Sequence, residues 1–167
     1  MPTLLTAAPS PVDHDRRMAR LAELHTLRDL VAAAAEIVTA GWVRRGWFVY
    51  VDERGDRQVA MAPTTRRAQG RPVVAACLVG AVVQAGGGPG AARSQPVRRA
   101  LELVWHTLDG DPRSPVRWCP APAVHAAHVS DLARWNDAPA RTRADVLTLL
   151  GRTEQRATAE IERLRTG

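Results

Sequence analysis

From Asp13 to Ala40 the apolar residues fall on one side of a helix. Leu21, Leu24, Leu27, Val31, Ala34 and Val38 recur at steps of three and four, and Leu30 and Ile37 widen the stripe. That period is the α-helical one, and Gly41 is a natural stop. A helix with so continuous a stripe buries it only against other elements, so the rest of the chain has to supply partners.

Three further stretches do so. Val97, Leu101, Val104, Trp105 and Leu108 predict an inward face on a helix from about Pro96 to Leu108, ended by Asp109-Gly110-Asp111-Pro112. His125 to Arg134 predicts a short helix. Thr142 followed by Asp145 resembles a capping box with Asp in place of Glu. Val146, Leu149, Leu150, Ala157, Ile161 and Leu164 then continue on one side, and Gly151 is a place for a break or bend. The run Val73 to Gln84 is apolar nearly all round. Its length and lack of alternation point to a buried helix with Pro72 in the first turn, although its valines also suit a strand. Trp47–Val51 and Gln58–Met61 flank a polar turn containing Gly55, which predicts a short β-hairpin. The expected fold is mainly α: a compact helical domain with a short hairpin between the first two helices. It is a single domain over residues 13–165, behind a flexible tail of residues 1–12.

Composition narrows the function classes only broadly. Hydrophobic residues are 46% and charged residues 24%, both ordinary for a globular domain. The net charge of +6 comes entirely from Arg, with no Lys, a bias that GC-rich coding also produces. The arginines are spread along the chain, so nucleic acid is an open but unfavoured partner. Cys77 and Cys119 form neither a CxxC pair nor a disulfide framework. The N-terminus lacks a signal-peptide pattern, and no apolar stretch reaches the ~18 residues of a membrane span. A cytoplasmic protein with no membrane association is the expectation.

Ala75-Ala76-Cys77-Leu78-Val79-Gly80-Ala81 and the stretch from Trp135-Asn136-Asp137 through Arg141-Thr142 to Asp145-Val146 resemble a family of small actinobacterial and phage proteins of unknown function. Gly41-Trp42 fits the same pattern, and the resemblance spans residues 24 to 152. Ala76, Ala140 and Asp145 depart from an aromatic residue, a glycine and a glutamate in that pattern, and Trp42-Val43 from a Trp-Cys pair. The resemblance implies a fold but brings no activity with it.

Candidate chemistry is correspondingly spare. Cys77 near a helix start is a possible nucleophile, with His106, His125 or His128 as base and Asn136 or Asp137 orienting the imidazole; it also reads as a small buried hydrophobe. Trp135, Asn136, Asp137 and Arg141 form a candidate ligand site, and equally a turn or cap. His125 and His128 share a helix face, but with Cys119 or Asp131 they do not make a metal-ligand pattern. The Gly86–Gly90 run is neither a P-loop nor a dinucleotide fingerprint. Arg93, Arg98 and Arg99, with Arg66, Arg67 and Arg71 adding to them, read first as a solvated helix face and second as a patch that contacts phosphate. Three functions follow: a non-catalytic accessory or interaction module with an unidentified protein or small-molecule partner and no cofactor or metal, a Cys77-dependent enzyme, and an anion- or nucleic-acid-binding protein.

Overall fold

The computed structural model describes residues 11–62, 65–110 and 116–166. The expected tail lies, up to residue 10, outside the described residues, and Pro11 and Val12 already belong to the first helix. Helix α1 runs Pro11–Ala40. Strands β1 (Phe48–Val51), β2 (Arg57–Ala60) and β3 (Val73–Ala76) follow, then α2 (Leu78–Ala85), a 3-10 turn at Pro89–Arg93, α3 (Gln95–Asp109), α4 (Pro122–Asp137) and α5 (Arg143–Thr166). The protein is mainly α, and the hairpin sits after the first helix.

The stripe of α1 is the spine of the core. Leu24, Leu27, Val31, Ala34 and Val38 are all at or below 1% exposure; α1 packs along α5 and also meets α2 and α3. Full burial of each leucine or valine among them is worth roughly 1.5–3 kcal/mol. Helix α2 is buried from Leu78 to Val83, as expected for a helix that is apolar all round.

The sheet is larger than a hairpin. Its order is β2-β1-β3, all antiparallel. Phe48 pairs with Ala60 on one side and Ala76 on the other, and Phe48 and Tyr50 turn inward. Val73–Ala76, expected as the first turn of a helix, is therefore a strand. Its β-branched valines pair with β1, and the switch to helix comes at Cys77, whose backbone is extended (φ −73°, ψ 172°) and whose thiol caps α2. Cysteine is not among the favoured capping residues, so the boundary carried no familiar mark.

Two glycines allow close approach of these elements. A Cβ at Gly41 would overlap the Val74 carbonyl, and one at Gly80 the Trp47 carbonyl. The first lets the end of α1 lie on β3, where Ala76 N donates to Gly41 O at 3.0 Å; the second seats α2 against the start of β1, where Cys77 N donates to Trp47 O at 3.0 Å.

Helix α4 begins at Pro122 and ends at Asp137, longer at both ends than expected. Proline is tolerated in the first helical turn because no intrahelical acceptor awaits its missing N–H. Helix α5 runs unbroken through Gly151. Among the described residues no helix is long and apolar enough to cross a membrane.

Candidate functional site

The Trp135-Asn136-Asp137 stretch lies at the C-terminal end of α4, against the link between α1 and β1. Asn136 is fully buried. Its Oδ1 accepts from Trp42 Nε1 (2.9 Å) and from Leu78 N at the start of α2 (3.0 Å). Its Nδ2 donates to Val43 O (3.2 Å) and Asp137 Oδ1 (2.9 Å). The same Asp137 oxygen accepts from Arg45 N at 2.9 Å, holding Arg45 at φ +59°, a left-handed conformation that non-glycine residues rarely adopt. Arg141 stacks on Trp135 at 3.8 Å and donates from Nε to Trp135 O at 3.2 Å. The four residues are thus brought together, around the protein's own backbone. Arg141 also reaches Asp145 at 3.8 Å, which caps α5 reciprocally with Thr142.

Cys77 sits beside this knot. It is 5% exposed, and its sulfur accepts from Gly80 N at 3.3 Å. Burial pushes the thiol up from the ordinary 9.0 to about 11; the amides of Gly80 and Val79 offset part of that, and the Asp137 charge adds to it. Among the described residues neither His106 nor His125 is a polar partner of Cys77. His106 Nε2 accepts from Arg117 N at 3.1 Å, and burial lowers the pKa of this imidazole.

A different set of groups converges where α3 faces the start of α4. Glu102 is 1% exposed, with one oxygen toward His125 Nδ1 and the other toward His128 Nδ1, the latter at 2.7 Å. An ionised carboxylate only accepts, so each ring turns an Nδ1–H to it and keeps Nε2 for another partner. His128 lies flat on Trp105, with ring centroids 3.6 Å apart. Trp105 Nε1 donates to Asp131 at 3.2 Å, and this bond, with one from Arg134, holds the Asp131 carboxyl below its ordinary range. His128 is thereby fixed as a structural group, whereas His125 opens onto a cavity of about 330 Å³.

That cavity is lined by Arg93, Arg98 and Arg99 together with Glu102, Cys119 and His125. Arg99 pairs with Glu23 on α1 and donates to Cys119 Sγ at 3.5 Å, while its Nε is buried with no acceptor among the described residues. Glu23 also pairs with Arg20, whose guanidinium covers Trp118 at 3.8 Å, pinning the wall that carries Cys119. Arg93 and Arg98 have no carboxylate partner among the described residues, unlike Arg71, which pairs with Glu53. Sequence reasoning gathered the three arginines and His125 separately, but it missed Glu102, which sits three residues before Trp105 in the helical stripe and carried no signal beyond being a charged residue on the inward face.

A larger cavity of about 830 Å³ is bordered by Gly110 and Val116, the residues flanking the segment 111–115 outside the described residues, and no role is assigned to it. Among the described residues no group of three or more His, Cys, Asp or Glu is placed to hold a metal ion.

The chain belongs to DUF6197, a family of unknown function whose model matches residues 22–156. Comparison with curated proteins and with solved structures gave no match.

Proposed function

Since the family brings no activity with it, we propose from the geometry that this protein is an accessory protein that binds a small anionic ligand in the cavity between α3 and α4. The observation that carries this reading is the pair Arg93 and Arg98, which line the cavity without a carboxylate partner among the described residues. A guanidinium offers forked donors suited to carboxylate or phosphate oxygens. Arg99 adds a third positive charge, already half committed to Glu23. The His125 Nε2 supplies a group that accepts when neutral and donates when protonated, held in place by Glu102. About 330 Å³ is at the small end of ligand pockets, which favours a metabolite-sized anion over a nucleic-acid strand.

The Trp135–Arg141 region supports no comparable reading, because Asn136 is fully enclosed and its amide groups are engaged within the fold. Isothermal titration calorimetry with citrate and with inorganic phosphate at low salt tests the proposal. Saturable binding is expected, weakened about tenfold or more in Arg98→Gln, which corresponds to ~1.4 kcal/mol. Equal heats for the two proteins, or no binding by either, would remove it.

A further inference from the structure

Cys119 lines the same cavity, and its surroundings differ from those of Cys77. It is exposed where Cys77 is buried. Its sulfur accepts from a guanidinium, Arg99 Nη2, where the sulfur of Cys77 accepts from a backbone amide inside the core. It shares a cavity wall with His125, whose Nδ1 is taken by Glu102. The Arg99 guanidinium places a positive charge beside this sulfur, and the thiolate is the attacking species in sulfur exchange.

We propose that Cys119 is a site of thiol–disulfide exchange with an anionic low-molecular-weight disulfide. This rests on the anion-binding reading of the same cavity, with Arg93 and Arg98 engaging the carboxylates of the incoming molecule. In the step, the Cys119 proton passes to His125 Nε2, directly or through water in the cavity. The thiolate attacks one sulfur of the disulfide; a bond forms between Cys119 Sγ and that sulfur as the original S–S bond breaks. The second sulfur leaves with the electron pair and takes the proton from His125. Cys119 is oxidised to a mixed disulfide, one half of the incoming disulfide is reduced to a free thiol, and His125 returns to its starting state. No other oxidant is needed. Glu102 is a positioning residue here: it engages His125 Nδ1, which leaves Nε2 as the proton-accepting nitrogen of the ring, and its charge lies beside the transient imidazolium. Exchange needs no hole for a developing oxyanion, so Cys119, His125, Glu102, Arg93 and Arg98 suffice.

The test uses the full-length protein and two disulfides of opposite charge, oxidised glutathione and cystamine, with adducts located by peptide mass spectrometry and rates taken relative to an unstructured cysteine peptide. Cys119 is expected to favour oxidised glutathione over cystamine by about tenfold relative to the peptide, an effect of the size that electrostatic steering supplies. Arg98→Gln should abolish that preference while leaving Cys119 reactive. His125→Gln, with its helical circular dichroism unchanged, should slow exchange with both reagents near neutral pH and recover at alkaline pH, where the thiol ionises unaided. A merely structural role for His125 would show no such recovery. Cys77→Ser should leave all of these rates unaltered.

Adducts at Cys77, or a Cys119 no faster than the peptide and indifferent to reagent charge, would overturn the proposal. Citrate binding by the parent protein separates the two layers: if it is present while exchange fails, only the chemistry of Cys119 is lost. If citrate binding is absent as well, the anion-binding reading falls with it.

Discussion

Asn136 holds together three pieces of chain that are distant in sequence: the turn after α1, the start of α2 and the end of α4. Its replacement by alanine would strand the Trp42 indole N–H and the Leu78 amide, two donors that face it. Unsatisfied buried donors cost ~1–3 kcal/mol each, so Asn136→Ala is expected to lose on the order of 3 kcal/mol in a urea denaturation series. A loss under ~1 kcal/mol would show that water reaches these donors readily. Cys77, one residue before Leu78, has a pH signature instead. Its folded-state thiol holds its proton up to about 11, against an ordinary 9.0. Above the ordinary value the unfolded chain binds fewer protons than the folded one, so stability falls as pH rises through this window. Cys77→Ser keeps a capping hydroxyl and removes the ionisation. Its urea midpoint should therefore decline less between neutral and alkaline pH than that of the parent; an identical decline would mean that Cys77 is not enclosed as described.

At the scale of elements, α5 offers the simplest check. Gly151 lies inside the helix, and a Cβ there meets nothing within 4 Å. Gly151→Ala is expected to stabilise the protein by about 1 kcal/mol, seen as a higher melting temperature; a lower one would place a bend at this residue. The helices were legible because their stripes are regular: α1 ends at the residue before Gly41, and the Thr142–Asp145 box marks the start of α5. Strand β3 was not, since Val73–Ala76 and α2 form one apolar run with no change of period, and only pairing with β1 separates them. The candidate site was legible in fragments. Arg93, Arg98 and Arg99 stood out as a basic group and His125 as sharing a helix face with His128, but what joins them is Glu102 on α3 and the packing of α4 across it. Trp135, Asn136 and Asp137 were conspicuous as residue types, and the structure uses that conspicuous polarity to bind its own backbone.

On the scale of the whole molecule, a region of concentrated polar contact lies at each end of α4. At its C-terminal end, the contacts of Asn136 and Asp137 are with the protein's own backbone and neighbouring side chains. At its N-terminal end, Arg93 and Arg98 face a cavity beside a Glu102–His125 pair with no carboxylate partner among the described residues. The net charge of +6 adds a long-range attraction for anions, which salt screens over ~10 Å at moderate ionic strength. Nuclear magnetic resonance of the five tryptophan indoles distinguishes these regions directly. Trp118 lines the cavity, Trp42 donates to Asn136, and Trp135 lies under Arg141. On titration with citrate at low salt, the Trp118 indole signal is expected to shift saturably while those of Trp42 and Trp135 stay in place. Movement of Trp42 and Trp135 with Trp118 unmoved, or no movement of any indole at millimolar citrate, would contradict the assignment of the binding site to the α3–α4 cavity.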